Sequence, residues 1–280
     1  MSKIMLTSAE DLPYTMGNAG DLIKHCVLIL FLDWFLPDNH NHPRFADPFG
    51  GHPWSHLANG EIIRRLNSVV NFVTKETWDG NNIYYGSGQI ALNRNADVWV
   101  SDKDPHKRSD LEASGLRLLN DLFSNYDNQN GYCILKPEYA KKIDLILINP
   151  FSDFLTGHLQ ELDNIKKIVE MFPDLFVMVF ILDWQSKNKP PQSDGIYRTH
   201  QRYLEKQEYL KEIACSIRCP KIDNKYGIKG ESKYEMELLI ISSKMKDINT
   251  YKLRQDLKDF TELVTTVLPL GNDEKIEFWP

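Results

Sequence analysis

The run Asp144-Leu-Ile-Leu-Ile-Asn149-Pro150-Phe151-Ser152 passes from a short apolar stretch into a polar turn. Its shape predicts a buried strand that delivers Asn149 and Pro150 to the edge of a sheet. Ligands of open α/β sheets bind at the carboxyl ends of strands. An Asn-Pro-aromatic turn at that point offers a side-chain carbonyl, a backbone carbonyl and a ring. Those groups suit a planar amine such as the exocyclic amino group of a nucleobase. The same dipeptide also serves merely to end a strand, because Asn-Pro favours turns.

Other residues with chemical potential lie upstream. Gly17-Asn18-Ala19-Gly20-Asp21-Leu22-Ile23-Lys24-His25 opens a helix. Gly-rich turns before helix N-termini expose N–H groups and favour anions. Lys24 and His25 fall early in that helix, where the dipole disfavours cations, so a compensating anion or a packing role is required. Asp47-Pro48-Phe49-Gly50-Gly51-His52-Pro53 follows a predicted strand, and Gly50 and Gly51 permit close backbone approach to a ligand. It is not a G-x-G-x-x-G fingerprint, and Gly-Gly also serves any tight turn. Tyr85-Gly86-Ser87-Gly88 offers a hydroxyl and open N–H groups at another helix start. Asp102, at the end of a second strand, can accept both hydroxyls of a ribose or simply cap the next helix.

The elements that must position these residues alternate between helix and short buried strand. The pattern predicts helices over 21–35, 108–123, 158–171, 199–214 and 250–267. Strands are predicted at 44–46, 98–101, 132–135, 145–148 and 175–182, with a closing antiparallel pair at 217–222 and 235–242. This is an α/β, Rossmann-like plan: a seven-stranded, mostly parallel sheet with helices on both faces. One domain is expected over residues 1–280. A helical insertion over 53–83 accounts for the long gap between Asp47 and Asp102, and a helical extension over 247–280 closes the chain.

The bulk properties narrow the function classes. The 280 residues are 42 % hydrophobic and 26 % charged, as in ordinary globular proteins. No apolar run approaches the ~18 residues of a membrane span, so no membrane role is expected. The N-terminus lacks the pattern of a signal peptide. Four cysteines in so long a chain, with only Cys215 and Cys219 close together, argue against a metal site and for a reduced, cytoplasmic setting. The net charge of −6 means that nucleic acid would have to meet a local basic face. Candidates are Arg64 with Arg65, Lys141 with Lys142, Lys187 with Lys189, and Arg198 to Arg202, all of which also make ordinary solvated surfaces.

The Gly17-to-His25 segment resembles the G-N-x-x-D-x-x-K-H signature of the RlmJ (DUF519) family, bacterial adenine-N6 methyltransferases of large-subunit ribosomal RNA. The Asp47-to-Gly51 turn, Gly86-Ser87, Asp102 with Pro105, and the turn at Asn149 follow in that family's order. Asp47 to Gly51 is also similar to the equivalent turn of three-Cys-motif partner proteins. The resemblance implies a methyltransferase fold with S-adenosyl-L-methionine as cofactor. It implies cofactor contacts at Lys24, His25, Asp47, Phe49, Gly50, Gly51, Ser87, Asp102, Asn130, Gly131 and Asn149. On the same resemblance catalysis would fall to Asn149, Pro150 and Phe151, and the expected partner is RNA, ribosomal RNA first, or DNA; a monomer is expected. Asn149 Oδ1 and the Pro150 carbonyl would accept the amine's two hydrogens and free its lone pair for in-line transfer. Phe151 or Phe154 would stack on a base turned out of its helix or loop. The chain departs from the pattern at His52-Pro53, where the family has A-G-x-G; at Asn149-Pro150-Phe151-Ser152, where it has D-P-P-Y; and at Asn130, where it has Asp. Two other functions fit these residues: methylation of a protein Gln or another planar amine, and a non-catalytic module that keeps the fold for binding.

Overall fold

The computed structural model describes residues 19–38, 42–56, 83–150, 160–185, 210, 213–219, 233–247, 250–267 and 277–279. The chain runs α1 (Ala19–Asp38), β1 (Arg44–Asp47), β2 (Trp54–His56), β3 (Ile83–Tyr85), α2 (Ser87–Asn93), β4 (Asp97–Val100), α3 (Pro105–Ala113) and β5 (Arg117–Leu118). Next come α4 (Leu119–Leu122), a 3-10 turn (Gly131–Leu135), α5 (Pro137–Ala140), β6 (Leu145–Ile148), α6 (Gln160–Met171) and β7 (Phe176–Gln185). The last elements are β8 (Ala214–Cys219), β9 (Lys233–Ile241), a 3-10 turn (Ser243–Lys246), α7 (Tyr251–Val267) and β10 (Glu277–Trp279).

One sheet holds eight strands in the order β10-β8-β9-β7-β6-β1-β4-β5. The pairs β5–β4, β4–β1, β1–β6 and β6–β7 are parallel, and those joining β7, β9, β8 and β10 are antiparallel. The plan is the Rossmann-like, mostly parallel one expected, with β10 added as a short eighth strand. The expected helical extension therefore ends in a strand of the main sheet. Leu145 to Ile148 are all buried, as both-face coverage of a parallel strand requires. Their odd-numbered residues join the core under α1, α2 and α7, and their even-numbered residues join the core under α6. At the amino ends of β1 and β6, Arg44 clamps Asp144 through Nε–Oδ2 at 3.0 Å and Nη2–Oδ1 at 2.6 Å.

The third predicted strand is misplaced. Residues 131–135 form a 3-10 turn, and the edge strand is the two-residue β5, which splits the helix expected over 108–123 into α3 and α4. The apolar run Tyr132 to Leu135 mimics a strand because Cys133, Ile134 and Leu135 are buried consecutively, with no alternation to separate the two cases. β2 and β3 form a separate two-stranded ribbon, so the insertion expected to be helical over 53–83 begins and ends in strand, at Trp54–His56 and Ile83; its remaining residues, 57–82, lie outside the described residues.

Candidate active site

The carboxyl ends of β1, β4 and β6 adjoin, which brings Asp47, Asp102 and Asn149 to one edge of the sheet. Asp47 is completely buried there. Its Oδ1 accepts the Phe49 N–H at 2.9 Å, and its Oδ2 accepts the Ser87 hydroxyl. Burial raises its pKa to about 6, against the two hydrogen bonds and the nearby Lys24 ammonium, which favour the charged form. Ser87 is the first residue of α2, after Gly86 at the cap position, and its hydroxyl is committed to Asp47.

The glycine turn is tied to the loop after β4. Ser101 N–H donates to the Asp47 carbonyl at 2.9 Å, and Gly50 N–H donates to the Ser101 carbonyl at 2.7 Å. Gly51, at φ +61°, donates to Asp102 Oδ2 at 3.2 Å. The left-handed backbone explains the glycine at position 51. The close approach permitted at Gly50 is made to the chain itself: an added Cβ would meet Ser101 O and Val100 Cβ at 3.3 Å. The chain then continues through His52-Pro53, and Pro53 accepts the Gly86 N–H at 2.8 Å. A Cβ at Gly86 would sit 2.5 Å from the His52 carbonyl oxygen, so glycine is demanded there too.

Asp102 is only 8 % exposed. It accepts Asp104 N–H at Oδ1 (2.9 Å), while Lys107 Nζ stands 3.7 Å from Oδ2. A carboxylate offers about four acceptor directions, so with Gly51 also on Oδ2 one direction remains free on Oδ1. The helix cap is Asp104, whose carboxylate accepts the His106 N–H, and this leaves Asp102 to face the strand ends. Ser101 Oγ donates to Asn128 at 2.5 Å, which draws the 124–130 loop alongside. Asn130 Oδ1 caps the following 3-10 turn through Tyr132 N–H at 3.2 Å. Gly131 lies under the Phe49 ring so closely that a Cβ would come within 2.6 Å of it, and Tyr132 meets the same ring edge-on at 5.2 Å.

α1 is apolar all round and buried from Leu22 to Ile29, with Lys24 and His25 as its two enclosed polar residues. A helix starting at Ala19 puts them on the second turn. The anion expected for Lys24 is supplied from within the helix by Asp21, at 3.3 Å. Lys24 Nζ also stands 5.4 Å from the centre of the Phe180 ring. Ile148 pairs with Val179, so Asn149 leaves the sheet next to the strand position of Phe180, the residue whose ring Lys24 faces. Pro150 is buried and Asn149 half-buried. Phe151 lies outside the described residues, as does Phe154. His25 is neutral, since burial and the Lys24 charge hold its pKa well below the ordinary value. Its ring stacks on that of Tyr84, and Nδ1 lies 2.5 Å from the tyrosine hydroxyl. Tyr84 escaped the sequence reading because a tyrosine flanked by Tyr85 in a short strand has the look of core; so did Ser101 and Asn128, whose contact joins two loops.

Of the basic candidates, Lys141 and Lys142 are exposed at the amino end of β6, the opposite end of the strand from Asn149. Those in 57–82 and 186–202 lie outside the described residues. Among the described residues no cluster of three or more His, Cys, Asp or Glu side chains is placed to hold a metal. No described helix is long and apolar enough to cross a membrane.

Neither a scan of protein-family models nor a search of curated proteins returns a match to this chain. Solved structures do match. One is the crystal structure of a protein from Legionella pneumophila str. Philadelphia 1, described under the family model DUF519. It superposes with a TM-score of 0.63 over 94 % of this chain and 97 % of the other, at 15 % identity. The likeness establishes the fold.

Proposed function

We propose that this chain is an S-adenosylmethionine-dependent methyltransferase of the RlmJ (DUF519) type, acting on an exocyclic amino group of nucleic acid, first adenine N6 of ribosomal RNA. The observation that carries the reading is the convergence of Asp47, Asp102 and the Asn149-Pro150 turn at one carboxyl edge of a Rossmann-like sheet. Antiparallel β9, set between β7 and β8, gives the sheet the strand plan used by such methyltransferases. Two features fit the cofactor. A buried His25 Nε2 lacks any hydrogen-bond partner among the described residues, next to a cation, and Asp102 Oδ1 keeps a free acceptor direction.

The cofactor, when bound, supplies an activated methyl on sulfur. Asp102 would hold the ribose, Lys24 and His25 the amino-acid end, and Phe49 with Asn130-Gly131 the adenine side. Asn149 Oδ1 and the Pro150 carbonyl would accept the two hydrogens of the target amine and turn its lone pair toward the methyl. Most of the catalysis is then orientation and electrostatics. Asn149 is not a base, so the proton leaves to solvent after transfer.

Radiolabelled methyl transfer to unmodified ribosomal RNA, run with a titration of S-adenosylhomocysteine, tests this. Asn149→Ala should cut turnover about a hundredfold or more while cofactor affinity holds, since the lost acceptor acts when nitrogen changes geometry. Asn149→Asp should retain or raise turnover. Wild-type rates in Asn149→Ala refute the catalytic role. Tight cofactor binding without transfer to RNA, DNA or protein leaves a binding module instead.

A further inference from the structure

His25 is 1 % exposed, and its two ring nitrogens are treated unequally. Nδ1 lies 2.5 Å from Tyr84 Oη, in stacked rings 5.4 Å apart. Nε2 has no hydrogen-bond partner among the described residues and is closed to bulk water. The neutral ring carries one proton, and Tyr84 decides where it sits. A phenol hydroxyl is a better donor than an imidazole N–H, and an imidazole nitrogen is a better acceptor than a phenol oxygen. The short bond therefore runs from Tyr84 O–H to Nδ1. Burial keeps that hydroxyl protonated, well above its ordinary pKa. The imidazole proton is left on Nε2, a buried donor without an acceptor, which is costly until it is met. Lys24, adjacent on α1, acts electrostatically on both His25 and Asp47; Asp21 meets it through one oxygen at 3.3 Å, and the acceptor that suits Nε2–H beside this ammonium is an anion shared between the two.

We propose that Tyr84 is a positioning residue that fixes His25 in its Nε2–H form so that this N–H binds the carboxylate at the amino-acid end of the cofactor. The inference rests on the cofactor reading above. It assigns Tyr84, in the middle of β3 and two residues ahead of Gly86, a part in cofactor selection: the hydrogen bond on one nitrogen sets the tautomer presented by the other.

The test is calorimetry with two probes, S-adenosylhomocysteine and 5′-methylthioadenosine, which keeps the nucleoside and thioether but lacks the carboxylate. Tyr84→Phe, which leaves the ring proton free to move to Nδ1, should weaken S-adenosylhomocysteine by up to about tenfold, the worth of the Nε2–H bond to the carboxylate that is then no longer held ready, and leave 5′-methylthioadenosine unchanged. His25→Phe should show the same selectivity, and the double variant should lose little more, because both act through one N–H. Equal losses for the two probes, or no loss for either, overturn the proposal. If the wild-type protein binds neither probe, it is the cofactor reading that fails. Nitrogen-15 spectra of wild-type His25 decide the tautomer without any variant. A proton on Nδ1 overturns the proposal, and a proton on Nε2 whose signal moves when S-adenosylhomocysteine is added supports it.

Discussion

Replacing Asp47 by Asn should stabilise the fold, by a margin that widens as pH rises. Asp47 is wholly enclosed, and desolvation lifts its pKa from 3.8 to about 6. A shift of about two units corresponds to ~3 kcal/mol. The sign follows from proton uptake. Between the unfolded pKa and the folded one, the native state binds more protons than the unfolded chain, so this stabilisation is fully present below the unfolded value. It is lost as pH rises through about 6 and stays flat above. Asn carries no charge to desolvate. Its Oδ1 can keep the Phe49 N–H, and its amide can donate to the Ser87 oxygen, which now accepts. From pH 5 to pH 8 the expected differential is about 1.4 kcal/mol, or roughly 3–5 °C in Tm. Thermal melts of the wild-type and Asp47→Asn proteins across that range measure it, because titrations common to both cancel in the difference. A gap that stays constant with pH, or one that narrows, would refute the claim that Asp47 is charged against its environment at neutral pH.

Two further substitutions probe the proposed cofactor site. Asp102→Ala should weaken S-adenosylhomocysteine by about 1–3 kcal/mol, the loss of hydrogen bonds to a charged group, as read by calorimetry; unchanged affinity would remove Asp102 from the site. Gly131→Ala places a Cβ 2.6 Å from the Phe49 ring, so it should lower stability by about 1–3 kcal/mol and displace that ring, visible as a loss in both Tm and cofactor affinity.

Much of the fold was legible because it depends on short-range pattern. Leu145 to Ile148 is a continuous apolar run ended by Asn-Pro, and both features survive intact in β6. The edge strand β5 was not legible: a two-residue strand is shorter than any periodicity, and Arg117 and Leu118 are held in it by pairing with Trp99 and Val100. Lys24 was legible as a cation in need of an anion, but not that Asp21, three residues before it, supplies one. Tyr84 is separated from His25 by fifty-nine residues, and nothing in local spacing couples the two.

The glycine turn shows how a departure from a motif changes meaning in three dimensions. In the sequence, Gly50-Gly51-His52-Pro53 looks like a ligand-cradling turn with its last glycine lost. In the fold the N–H groups of Gly50 and Gly51 are directed at Ser101 and Asp102, and the carbonyl oxygens of His52 and Pro53 press on Gly86. The turn thus works as a brace that joins β1, β4 and the start of α2, and Asp102 is the group it aims. A backbone cradle binds any anion that fits, whereas a braced carboxylate selects for hydroxyl or ammonium donors. On the proposed cofactor reading, the brace would put selectivity on Asp102 at one end of the ligand and on the Lys24–His25 pair at the other, with Gly51 holding the Asp102 carboxylate in place.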